Sequence, residues 1–141
     1  MLKRFLLLKA IPTRPNCGLL ALRLTSGLLL FLRHGTEKLL HFQTMAAHFP
    51  DPLHIGVLPS LIFATLSDGI CSVLVVLGLA TRWVALIIFV NIGTAWIFVH
   101  HHVLSGPQGD HGEMMVLYLA AMATLFLTGA GSHSLDALLE K

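Results

Sequence analysis

Charge is scarce in this chain. Only 11% of its 141 residues are Asp, Glu, Lys or Arg, against roughly 25% in soluble domains. The net charge of +2 is too small and too scattered to serve a nucleic acid. Two cysteines, Cys17 and Cys71, cannot build a disulfide framework, and both read as small packing residues. The HExxH motif and the ferritin-type Glu-x-x-His pair are missing, which removes two strong signatures of a zinc or di-iron centre.

What remains is hydrocarbon. Hydrophobic residues make up 55% of the chain, and the mean hydropathy is +0.80. They gather into four apolar runs at 18–33, 58–79, 83–99 and 114–129. A bilayer core about 30 Å thick takes about 20 residues of helix at 1.5 Å each. The second run meets that length outright, and the others do once their amphipathic ends are counted. The expected fold is an all-α membrane protein, with four transmembrane helices in an antiparallel bundle. One compact domain, 17–141, uses up the chain, preceded by a basic interfacial segment at 1–16 that carries Lys3, Arg4, Lys9 and Arg14. Lys9 interrupts the apolar stretch of that segment and no small-x-small cleavage site follows, so it reads as retained. Pro15 and Asn16 supply a start signal for the first helix.

Basic residues set the expected orientation. With the N-terminus in the cytoplasm, the inner face collects Lys3, Arg4, Lys9, Arg14, Arg82 and Lys141, and the outer face keeps Arg33 and Lys38. The positive-inside rule then places both termini on the cytoplasmic side of a bacterial inner membrane. His34, His41, His48 and His54 fall in the first outer connection, and His100, His101, His102 and His111 in the second; His133 alone falls inside. In the first connection, Leu39, Leu40, Phe42, Met45, Ala46 and Phe49 recur at helical spacing before Pro50 and Pro52. That pattern predicts an outer amphipathic helix between helices one and two. The stretch 105–112, with Pro107 and three glycines, reads as an exposed turn.

Two groups of polar residues are candidate sites. Arg23, Asp68 and Asn91 lie in three different runs, about 12–16 Å from the outer ends at 1.5 Å per residue. An unpaired charge at the helix centre costs about 2.5–3.5 kcal/mol on insertion scales. A buried cluster of Arg23 with Asp68, assisted by Asn91, removes much of that penalty, either as an ion pair that fixes helix register or as a functional polar site. The second group is at the outer face: His34 and Lys38 share a helix face with Glu37 and His41, and His111 and Glu113 open the fourth helix. His100, His101 and His102 are candidate metal ligands, although solvated interfacial imidazoles explain them as well. Glu113 in a first helical turn suits the macrodipole with or without a partner such as Lys38.

Taken in order, these residues resemble the DoxX family. The family pattern has an Arg within helix one, then His-Gly and a Lys at its outer end, here Arg23, His34, Gly35 and Lys38. An acidic residue in helix two precedes a leucine-rich run ending Gly-Leu-x-Thr-Arg, here Asp68 and then Gly78, Leu79, Ala80, Thr81 and Arg82. Gly112 and Glu113 match the opening of helix four, and Ser134, Leu135 and Asp136 the closing Ser-Leu-Asp. Asp68 departs from the usual Glu by one methylene. The resemblance implies a small bacterial or archaeal inner-membrane protein that accompanies a redox system, with a quinone as the possible small molecule. Two functions follow as expectations. One is a non-catalytic accessory subunit of a quinone-linked oxidoreductase complex, which meets other subunits or a second copy as well as lipid. The other is a self-sufficient quinone or small-molecule site built on Arg23 and Asp68; a histidine-based metal or pH sensor is a third, weaker reading.

Overall fold

The computed structural model describes residues 12–104 and 112–141. Most of the segment expected at 1–16, nearly all of the turn expected at 105–112, and His111 lie outside the described residues. Among the described residues every regular element is helical. Helix α1 spans Pro15–Leu40. Pro15 occupies its first turn, where a missing N–H costs nothing. The apolar run stops at Arg33, yet the helix does not: it passes through a π-helical turn at Phe31–Gly35 and continues over Thr36–Leu40. Gly35 keeps a helical φ of −69°, and no proline intervenes. His41 then leaves helical geometry, and a single turn, α2, follows at Phe42–Met45. The amphipathic helix expected across 39–49 is therefore divided, its first residues finishing α1.

Helix α3 spans Val57–Leu77 and α4 spans Thr81–Val99. The Asp51 carboxylate organises the approach to α3, accepting from the Ile55 and Gly56 amides at 3.1 and 2.8 Å and from the Ser60 hydroxyl at 2.8 Å. At the far end of α3, Gly78 adopts a φ of +69°. Its amide and that of Leu79 donate to the Val75 and Leu74 carbonyls, the Schellman pattern that ends helices at glycine. Helix α5 spans Gly112–Thr128, and a last short helix, α6, covers Leu135–Leu139 with Ser134 as its N-cap.

Helices α1, α3 and α4 are each long and apolar enough to cross a membrane, and α5 is a shorter apolar helix. The interior is a single cluster that includes Leu30, Val75, Ile88, Tyr118, Met122 and Leu125, with broad packing between α1 and α3 and between α4 and α5. Helix α1 lies on α3 at Gly27, where a Cβ would meet the Val76 side chain at 2.7 Å and the Ser72 carbonyl at 2.9 Å. Large side chains such as Leu28, Leu32, Ile62, Ile70, Phe89 and Phe98 point outward. So much outward hydrocarbon along long helices suits lipid and not water. The chain is a membrane protein whose several apolar helices suit multi-pass insertion.

The two ends of the molecule differ. One end gathers the start of α1, the turn between α3 and α4, and the C-terminal segment; Asn16 Oδ1, for instance, accepts from the Ser132 amide at 3.2 Å. The other end carries α2, the chain around Asp51, and His100–His102.

Candidate functional site

Three helices carry one π-helical turn each: Phe31–Gly35 in α1, Leu66–Cys71 in α3 and Ala95–Val99 in α4. Such turns insert an extra residue into the hydrogen-bond ladder and rotate the side chains that follow; they are frequent at functional sites. The first contains His34 and swings Lys38 inward. The second contains Asp68. At their contact Gly35 lies against the Asp68 backbone, and a Cβ at position 35 would collide with the Asp68 carbonyl oxygen.

Lys38 and Asp68 form an ion pair of 2.8 Å, with side chains only 11% and 7% exposed. Asn91 Nδ2 donates to the other oxygen of the same carboxylate at 3.0 Å. The lysine also makes a long 3.5 Å contact to the His34 carbonyl. Asp68 thus holds two donors from two neighbouring helices in place. A buried pair of this kind survives in low dielectric because each charge satisfies the other.

Lys38 and Asn91 line a cavity of about 520 Å³, whereas Asp68 stands behind them and off its wall. His34, His100, Ser60 and Thr94 add polar atoms to the lining. The remainder is apolar, with Phe49, Leu53 and Ile55 from the 41–56 connection facing Phe63, Val90 and Val99 from the helices. Volume and lining match those of small-molecule sites, which are largely apolar with a few convergent polar groups. A second cavity of about 380 Å³ adjoins the first, and His34, Ala95 and Met115 line both.

The residues chosen from sequence are therefore redistributed. Asp68 and Asn91 do meet, but Arg23 does not join them. Helix α1 runs past the end of its apolar run at Arg33 to Leu40, which moves Arg23 toward the opposite end. There it is fully buried, and its guanidinium donates to the His133 carbonyl. Lys38, expected at the outer face, replaces it as the partner of Asp68. Glu113 is exposed and does not pair with Lys38; its amide instead donates to the Leu104 carbonyl at 3.0 Å. His100 lines the cavity while His102 packs edge-on against Trp96, ring centroids 5.5 Å apart. Among the described residues no group of three or more His, Cys, Asp or Glu is placed to hold a metal ion. Cys71 is buried as a packing residue should be, and Cys17 is exposed. The lining aromatics Phe49 and Phe63 were not singled out from sequence; only the helical spacing of 39–49 hinted at the first.

The opposite end is held by a second set of polar contacts. Asp136 accepts from the Ala80 amide at 2.6 Å and the Thr81 amide at 2.9 Å, so it caps α4 from across the chain. Its own amide donates to the Gly78 carbonyl at 2.8 Å. Partial burial opposes ionisation of Asp136; those amides and the Arg23 charge outweigh it and hold the carboxyl below the usual carboxylate range. Arg82 donates to the Leu127 carbonyl at 3.2 Å.

Comparison with known proteins agrees with these motifs. An uncharacterized protein of Haemophilus influenzae is 32% identical over 110 residues, covering 76% of this chain and 80% of that protein. No solved structure matches. The DoxX family model matches residues 18–101, a stretch that contains Arg23, the Lys38–Asp68–Asn91 cluster and the turn at Gly78. On that match, and on the relative, the chain belongs to the DoxX family.

Proposed function

We propose that this protein binds the head of a quinone-type molecule in the larger cavity and serves a quinone-linked membrane oxidoreductase as an accessory subunit. In this reading α1, α3, α4 and α5 all span a bacterial inner membrane as an antiparallel four-helix bundle, both termini are cytoplasmic, and the cavity opens toward the outer face. One observation carries the proposal: Lys38 and Asn91 present N–H donors at the polar end of an otherwise apolar cavity, with the lysine charge already balanced by Asp68. A neutral pair of donors suits a carbonyl oxygen better than an anion, since an anion would have to compete with the carboxylate. Apolar walls suit the ring and the start of its tail. Asp68 acts as a positioning residue that balances the Lys38 charge and keeps both donors aimed. No redox-active residue group is needed here, because the quinone carries the electron chemistry and the protein supplies binding and orientation.

Photolabelling of the purified chain in nanodiscs with an azido-quinone tests the binding. Label is expected on peptides that line the cavity, and unmodified quinone should compete it away. Lys38→Met and Asn91→Leu should each reduce labelling by about tenfold, the loss of roughly one charge-assisted hydrogen bond. Asp68→Asn should reduce it similarly, and Asp68→Glu, which preserves the charge, should restore it. Labelling that is not competed, or that ignores these substitutions, rejects the quinone reading. Mass spectrometry of proteins that co-purify from native membranes tests the accessory role separately; recovery of the chain without redox subunits would reject it.

A further inference from the structure

The second cavity differs from the first in its charge. Its polar lining consists of the Arg33 guanidinium, the His34 imidazole and Tyr118, and no carboxylate belongs to that lining. Among the described residues, no Asp or Glu forms a salt bridge with Arg33; the one such pair is Lys38 with Asp68. The first cavity presents a lysine paired directly with a carboxylate, whereas the second presents an arginine with no ion pair among the described residues and two further polar groups able to donate; Asp68 and Glu37 act on His34 at longer range. Its other walls are hydrocarbon, from Leu30, Ile92 and Met114 among others. Beside it the outward face of α1 is apolar, with Leu29 and Leu32 46% and 59% exposed. A site of this construction, a cation above a hydrocarbon slot on a lipid-facing helix, selects an oxyanion that is attached to an acyl chain.

We infer that the second cavity is a binding site for an anionic phospholipid. Arg33 takes the phosphate through paired N–H donors, a geometry that guanidinium offers and ammonium does not. Tyr118 donates to a further headgroup oxygen, and one acyl chain lies against Leu30, Ile92 and Met114. His34 and Met115 form part of both cavity walls, so a bound lipid closes that side of the larger cavity. The inference does not depend on what fills the larger cavity.

Native mass spectrometry of the full chain released from nanodiscs tests it, with phosphatidylglycerol and phosphatidylcholine in equal amounts. Both lipids carry the phosphate, but the choline ammonium neutralises the phosphatidylcholine headgroup and is repelled by Arg33, so the wild type is expected to retain one phosphatidylglycerol in preference to phosphatidylcholine by about tenfold. Arg33→Gln should abolish that preference, and Tyr118→Phe should reduce it about threefold, in line with loss of one neutral hydrogen bond. Phe63→Leu, at a residue that lines the larger cavity and not the second, should leave it intact. Equal retention of the two lipids by the wild type overturns the inference whether or not any variant folds. So does a preference that persists in Arg33→Gln. Displacement of the lipid by millimolar inorganic phosphate would assign the cavity to a soluble anion and overturn the lipid assignment.

Discussion

Lys38 is the residue on which most of the site depends. It is buried, charged and paired with Asp68, so removing either partner strands the other charge in low dielectric, at a cost of about 3–5 kcal/mol. Lys38→Met or Asp68→Leu alone should therefore lower the melting temperature in detergent sharply, and the double variant should recover much of the loss. Additive losses would show that the two residues do not act as a pair. Asp136 is the corresponding residue at the other end. Its carboxyl titrates below the ordinary range, so its contribution to stability is complete above the unfolded-state value of about 3.9 and fades as pH falls through the folded-state value. Asp136→Ala should cost about 0.5–2 kcal/mol near neutral pH, the usual loss on deleting a helix cap, and that difference from wild type should vanish in strong acid. Thermal melts of both proteins across the acid range measure it. Lys38 was legible as a candidate residue, but its pairing with Asp68 was not. Spacing along one helix gives neighbours on that helix; nothing in it says which residue of another helix lies opposite.

The π-helical turns act at the level of the element. Each adds a residue to a helix without ending it, so α1 reaches Leu40 and brings Lys38 to Asp68, where a uniform α-helix would rotate it away. Close approach of the two turns requires glycine at 35, since any Cβ would collide with the Asp68 carbonyl. Gly35→Ala should push α1 from α3 and weaken quinone labelling at least as much as Lys38→Met, although the lysine is retained. Undiminished labelling would show that the contact between the turns does not position the site. The α3–α4 turn is tight for a related reason. Gly78 has a positive φ and carries the Arg23 guanidinium against its bare Cα, while Ala80 holds a φ of +50° that is unfavourable for a residue with a side chain. Ala80→Gly should relieve about 1 kcal/mol of that strain and raise the melting temperature slightly. Helix existence could be read from the apolar runs, but the π-turns could not. They arise where packing between helices outweighs one regular hydrogen bond, and no local pattern records that balance.

At the scale of the whole molecule, the residues that carry the family resemblance fall into two groups at opposite ends. His34, Gly35, Lys38 and Asp68 build the cavity end. Arg23, Gly78, Thr81, Arg82 and Asp136 build the end where the start of α1, the α3–α4 turn and the C-terminal segment meet. Under the proposed function the first group serves binding, and the second is a clasp that joins the helices at the other end. The proposed orientation puts the clasp in the cytoplasm. Cys17, exposed at that end, should resist a membrane-impermeant maleimide in spheroplasts and react after permeabilisation, while His101→Cys in a Cys17→Ser background should react at once. The opposite pattern would invert the topology. The sequence by itself determined that this is a helical membrane protein, because run length and scarcity of charge are properties of composition along one dimension, and the bilayer tests little else. It also marked the polar residues that interrupt the apolar helices, because a charge in an apolar helix is conspicuous wherever it points. Tertiary structure alone decided that Asp68 pairs with Lys38 and Asn91 while Arg23 goes to the C-terminal segment. Partner choice depends on the rotation and offset of one helix against another, and those are fixed by glycine contacts and π-turns that exist only once the helices have packed.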